Sequence, residues 1–280
     1  MLKNTFCHIP GFGIQTERYL WTLGIHNWSA ALAIGDTQLT PRARMLLKEY
    51  IPLSQTRLEK FDIDYFAQSL PSDQHWRLFP EFRNSIAYLD IETTGLGSPY
   101  DSITTITLYD GLSIRTFIQD ENLRDFSSAI REYKLLVTFN GKCFDIPFIE
   151  NYLGIRLTMA HIDLRFVLRS LGYRGGLKSC EHQLGLERTD VKDIDGYFAV
   201  LLWHDYQARG SIRSLETLLA YNIVDTVNLE SLMVRAYNLK LHETPFQKKI
   251  KLPMPKVPEI PYKADHDTIE RIRREHYWRF

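Results

Sequence analysis

The chain has 280 residues, 44% hydrophobic and 24% charged, with 34 basic side chains against 34 acidic ones. That is the composition of one large globular domain, or a domain with a small appendage, and a net charge of zero excludes nucleic-acid recognition by bulk electrostatics, so any basic surface must be local. Three scattered cysteines, Cys7, Cys143 and Cys180, form no CxxC pair; disulfides and a cysteine zinc site are not expected, and a reducing cytoplasm fits.

The opening stretch "MLKNTFCHIPGFG" lacks a basic-then-apolar signal pattern, and no later stretch reaches the ~18 apolar residues of a membrane helix. A cytoplasmic protein without a membrane partner is expected. "TERYLWTLGI" and "TPRARMLLKEYI" each place a threonine before a helical apolar pattern. The cluster "LPSDQHWRLFPEF", with Pro71 and Pro80, breaks that periodicity and reads as a connector packed on the next domain.

From Ser85 the texture changes. "SIAYLDIE" is strand-like and ends in the turn "TTGLGSPYDS"; "ITTITLYDG" and "LSIRTFIQ" form a hairpin around Gly111. "NLRDFSSAIREY" is helical, "KLLVTFN" a buried strand, and "FDIPFIENYLG" a helix stopped by Gly154. "HIDLRFVLRSLG" is helical or mixed, "LKSCEHQLGL" a short helix, and "SLETLLAYNIVDTVNLESLMVRAYNLK" a long one. The order of strands and helices predicts an α/β fold. "KLPMPKVPEIPYK" predicts an extended, polyproline-like linker, and "DHDTIERIRREHYWRF" a capped terminal helix. Three regions are therefore expected: a helical 1–84, an α/β 85–243 and a Pro-rich tail, 244–280. The middle carries the acid: residues 85–246 hold 16 basic and 21 acidic side chains, whereas residues 247–280 hold 9 and 5.

Three places bear chemistry. Asp90 and Glu92 are two apart in a strand and project to one side, where two like charges repel unless one protonates or a cation sits between them. The same pair also fits a solvated strand end. In "FNGKCFD" a buried strand delivers Asn140, and Asp145 arrives near a helix start. Asp145 there is either a dipole-favoured carboxylate or a third acidic ligand at a strand's carboxyl end. In "YNIVD", Tyr221 and Asp225 are four apart and share a helix face. Oxygen-only donors suit Mg²⁺ or Mn²⁺, and four acids around two divalent ions is a layout for in-line phosphoryl displacement.

"DIETTG", then "NGKCFD", then "YNIVD" resembles, in order and spacing, the three motifs of DEDD 3′–5′ exonucleases of the tyrosine-bearing (DEDDy) subtype. "HIDL", "GLKSCEHQLGL" and "IDGYFAVLLWHDY" look most similar to the bacterial YprB-type predicted exonucleases. The resemblance covers about residues 85–240. It implies a ribonuclease-H-like mixed sheet flanked by helices, here with a small helical N-terminal region and an extended C-terminal tail. It also implies that Asp90, Glu92, Asp145 and Asp225 hold two ions, Mg²⁺ or Mn²⁺, that Tyr221 orients the attacking water, and that nucleoside 5′-monophosphates are released. An endonuclease or structure-specific ribonuclease on the same fold, and a non-catalytic nucleic-acid-binding scaffold, are the alternatives.

Asn140 shapes its turn or touches substrate. Lys178 and Arg174, in a glycine-lined basic turn, are candidates for a phosphate of DNA or RNA, with a solvated loop as the alternative. Asp163 buttresses the site or bonds backbone, and His161 reads as structural. "HIPGFGIQTERYLWTLGI" resembles a helix-hairpin-helix element with Ile9, Pro10, Gly11, Phe12 and Gly13 as its turn, an arrangement that offers backbone N–H groups to a phosphate, with Phe12 and Trp21 as plain core residues the alternative.

Overall fold

The computed structural model describes residues 1–35, 39–98, 100–186, 191 and 194–277. Four helices, α1 (Ile14–Thr22), α2 (Trp28–Leu32), α3 (Pro41–Glu59) and α4 (Ile63–Ser69), fill the first region. The predicted threonine cap holds for α3: Thr40 Oγ1 accepts from the N–H of Ala43, with Pro41 in the first turn. It does not hold for α1, which starts at Ile14 behind Gly13 and carries Thr16 inside. The side chain that matters there is Glu17. It is fully buried, accepts from the N–H groups of Phe6 and Cys7, and pairs with Arg77 at 2.7 Å. A short helix, α5 (Phe79–Phe82), leads into the sheet. In the proline-rich connector, the rings of Trp76 and Phe79 lie against Tyr237, 5.7 and 6.2 Å between centroids. The predicted packing of that connector on the next domain is what the chain adopts.

Five strands come next: β1 (Ile86–Thr93), β2 (Ile103–Tyr109), β3 (Ile114–Ile118), β4 (Leu135–Thr138) and β5 (Ala160–Asp163). Their order across the sheet is β3-β2-β1-β4-β5. The β1–β2–β3 meander is antiparallel, and β4 and β5 add parallel to β1. The mixed α/β sheet is as expected. "NLRDFSSAIREY" yields only a short helix, α6 (Phe126–Ala129), between 3-10 turns. "HIDLRFVLRSLG" divides: its first residues pair with β4 as β5, and α8 (Leu164–Ser170) takes the rest. Between α6 and α8 in chain order is α7 (Asp145–Leu153).

Side chains of β1 alternate between two cores. Ala87, Leu89 and Ile91 join Leu108, Leu136, Phe126 and Ile149 on one face. Tyr88 joins the larger core on the other face, with Leu218, Leu229 and Met233. Apolar residues on both faces are what a sheet covered on both sides requires. The cover on the second face is α11 (Ile212–Lys240), about 43 Å long at 1.5 Å per residue. It comes after α9 (Leu177–Gln183) and α10 (Gly196–Arg209), the latter a helix the sequence pattern does not assign.

Residues 251–260 have no regular secondary structure, as the prolines demand. They are nonetheless fastened to α11: Asn238 donates to the Leu252 carbonyl at 2.8 Å and accepts from its N–H at 2.9 Å. The terminal helix α12 (His266–Tyr277) is held to α10 through Arg271, whose two terminal nitrogens lie 2.8 and 2.7 Å from the Asp205 carboxylate.

Candidate active site

The site lies where the carboxyl end of β1 meets the middle of α11. Asp90 and Glu92 continue the face begun by Tyr88, so both point away from the Leu89–Ile91 core and towards α11. Alternation puts Thr105 and Thr107 of β2 on that same side. The β1–β2 register shifts between Glu92 and Thr93, an irregularity of the kind that re-aims side chains at sheet edges.

Asp90, Glu92 and Asp225 each offer a carboxylate oxygen within 4.8 Å of the others. The two strand residues are partly buried and Asp225 is buried. Asp145, at the first turn of α7, is buried as well and borders β1, since the N–H of Ile91 bonds its carboxylate. Burial, and then the charges of Asp145, Asp225 and Glu92, push the Asp90 carboxyl well above its usual 3.8, against a hydrogen bond from Asn222. Burial pushes Asp145 up to about 7; its own N–H opposes this, Asp163 adds to it, and the N–H of Ile91 opposes it. Four acids so placed strongly favour a proton or a cation among them. The donors are all oxygen, the set that suits a hard divalent ion such as Mg²⁺ or Mn²⁺.

One residue of the site escapes sequence reasoning. Asn222 is fully buried on α11 and donates from Nδ2 to Asp90 Oδ2 at 2.7 Å. Its Oδ1 accepts from Thr107 Oγ1 at 2.6 Å and from Thr105 Oγ1 at 3.3 Å. The amide thereby ties helix to sheet and fixes the rotamer of Asp90. The available signal was its place three residues before Asp225, on the same helical face, opposite a strand with threonines two apart.

The turn after β4 is built for position. Asn140 takes a left-handed conformation, φ 68°, and its Oδ1 accepts from Arg165 Nη1. Asp163 accepts from the N–H groups of Asn140, Lys142 and Arg165 at 2.8, 3.0 and 3.0 Å, so it bonds backbone and also caps α8. A Cβ on Gly141 would stand 2.3 Å from Thr138 Oγ1, so only glycine fits. Thr138 Oγ1 also lies 2.9 Å from His161 Nε2, and burial lowers His161 to about 3. His161 is a neutral structural partner of the turn that delivers Asp145.

Tyr221 is buried one helical turn before Asp225, and Lys178 Nζ lies 4.9 Å from its ring centroid. Arg174 lines a cleft of about 560 Å³ that Asn140 also lines. Ile9 and Phe12 of the helix-hairpin-helix-like turn are core residues, and a 3-10 turn, Leu2–Asn4, precedes it in place of a first α-helix. Among the described residues, no helix is long and apolar enough to cross a membrane.

No curated protein matches the chain. Among solved structures, the family B DNA polymerase from the hyperthermophilic archaeon Pyrobaculum calidifontis is similar over 56% of this chain and 29% of its own, at 14% identity and a TM-score of 0.37. The chain thus spans under a third of that polymerase. The RNase H superfamily profile matches residues 87–237, more than half of the chain and the whole stretch from Asp90 to Asp225. The chain belongs to the RNase H superfamily.

Proposed function

We propose that the protein is a metal-dependent 3′–5′ exonuclease that hydrolyses single-stranded nucleic acid and releases nucleoside 5′-monophosphates. Membership in the RNase H superfamily suggests a nuclease. The observation that carries the finer reading is the meeting of Asp90, Glu92 and Asp225 within 4.8 Å, with Asp145 bordering the same strand. Those four residues would hold two Mg²⁺ or Mn²⁺ ions, in the manner of the DEDD motifs and their YprB-type relatives. Bound there, divalent ions supply an acidified water and stabilise charge on the leaving 3′-oxygen.

The remaining work falls to the chain. Asn222 holds Asp90 in one rotamer, so the ligand oxygen is preorganised. Tyr221 serves as a hydrogen-bonding positioner of the attacking water and not as a free base. Its buried ring fixes where the hydroxyl can reach. Asp163 keeps the turn rigid through three backbone N–H groups, and so sets the approach of Asp145.

The test is incubation with 5′-labelled single-stranded DNA and RNA, with Mg²⁺, Mn²⁺ or chelator. A 3′–5′ exonuclease gives a ladder shortened from the unlabelled end and leaves circular strands intact. Cutting of circular strands would make the protein an endonuclease. No cutting with either metal would sink the proposal.

A further inference from the structure

The catalytic region is acidic overall, yet one flank of the site is basic. Arg165 and Arg169 stand four apart on the exposed side of α8, and Arg174 follows in the next loop. All three line the 560 Å³ cleft, together with Phe139 and Tyr173. Like charges at this helical spacing repel, and among the described residues no carboxylate lies within ion-pair distance of the three. A second cleft, of about 610 Å³, shares Tyr173 with the first and is lined by Arg235 and Lys251. Among the described residues, no carboxylate lines either cleft. The first cleft reaches the site through Asn140, which bonds Arg165 and opens the turn that delivers Asp145.

We infer that these two joined clefts bind a single strand of nucleic acid, the nucleotides on the 5′ side of the one being removed. Arginines neutralise successive phosphates without reading sequence, and aromatic faces accept unstacked bases. The cleft beside Asn140 takes the nucleotides nearest the scissile bond. Tyr173, at the junction, stacks a base, and Arg235 and Lys251 hold phosphates further along. A local basic track resolves the zero net charge: the attraction is confined to one route that ends at the carboxylates. The assignment of strand direction rests on the exonuclease reading; the binding itself does not.

The experiment uses the full chain carrying Asp90→Asn, in chelator, so that no strand is cut. Fluorescence anisotropy is read with labelled oligo(dT) and oligo(U) of 4 and 12 nucleotides, and with a 12-base-pair duplex, at several salt concentrations. Adding Arg169→Gln and Arg174→Gln is expected to weaken the 12-mer at least tenfold. It should flatten the log K against log salt slope by about 1.4, that is ~0.7 for each lost phosphate contact on a single strand. Arg235→Gln with Lys251→Gln should weaken the 12-mer more than the 4-mer, which is too short to reach the second cleft, and Tyr173→Leu should weaken the 12-mer with no change in slope. Unchanged far-UV circular dichroism and melting temperature certify the fold, and Arg169→Lys with Arg174→Lys should restore the slope. Equal 12-mer affinity and slope with and without the arginines would overturn the inference, as would tighter binding of the duplex than of the single strand. Arginine-dependent 12-mer binding by a wild-type protein that cuts nothing with Mg²⁺ or Mn²⁺ would support the clefts and remove the exonuclease reading.

Discussion

Replacing Asp90 by asparagine should stabilise the metal-free protein while removing its response to metal. Asp90 stands within 4.8 Å of oxygens of both Glu92 and Asp225. At that distance and an effective dielectric of about 20, each ionised pair costs ~3.5 kcal/mol. Protonation and relaxation lower what unfolding reads to about 2 kcal/mol, or about 4–8 °C in melting temperature. Asparagine keeps the shape and can still accept the 2.7 Å hydrogen bond from Asn222. The pH dependence has a definite sign. The Asp90 carboxyl is raised above 3.8 in the fold, so folded protein holds a proton that the unfolded chain releases. Wild-type stability in chelator therefore falls as pH rises beyond the ordinary carboxylate range, and the advantage of the variant grows from pH 5 to pH 8. The assay is thermal unfolding of both proteins, with chelator and with Mn²⁺. At a hundredfold excess over its dissociation constant Mn²⁺ should add about 2.7 kcal/mol to wild type and almost nothing to the variant. A variant less stable than wild type in chelator, with an equal Mn²⁺ shift, would refute the electrostatic argument.

Tyr221→Phe should slow cleavage about tenfold or more while the Mn²⁺-induced stabilisation persists; equal rates would remove the hydroxyl from the mechanism. Asn222→Ala should cost about 1–3 kcal/mol, by stranding the buried Thr107 hydroxyl and Asp90, and should lower metal affinity about 10–100-fold, read by Mn²⁺ titration. Gly141→Ala should destabilise the protein and impair cleavage together, because its Cβ would collide with Thr138; an unperturbed melting temperature would contradict the close approach. Asp205 is lowered to about 2, chiefly by its hydrogen bonds from Arg271. The stability this pair contributes is complete above about pH 4 and fades as pH falls through about 2. Arg271→Met should therefore cost about 1–2 kcal/mol at pH 7 and less at pH 3, by denaturant unfolding at both.

The four carboxylates were legible because each sits in a local pattern that survives folding. Asp90 and Glu92 are two apart in a strand, Asp145 follows a buried strand and a glycine turn, and Asp225 lies on an amphipathic helix. The sheet was legible through β-branched and aromatic runs bounded by turn residues. The features that escaped depend on contacts between distant segments. Asn222 gains its role only when α11 lies across β1 and β2. β5 is too short for its alternation to stand out beside the helix after it, and its pairing with β4 decides the matter. Glu17 reads as a helix residue, yet its partners, Phe6, Cys7 and Arg77, lie up to sixty positions away. The arginine cleft joins residues on a helix, a loop and a strand end, so its charges look like an ordinary solvated face in the linear chain.

Anomalous diffraction from Mn²⁺-soaked crystals shows whether the scattered acids converge to hold divalent ions. Anomalous peaks are expected in direct contact with Asp90, Glu92, Asp145 and Asp225, and are expected to vanish in Asp90→Asn crystals. Manganese bound elsewhere on the protein, with none at these carboxylates, would contradict it.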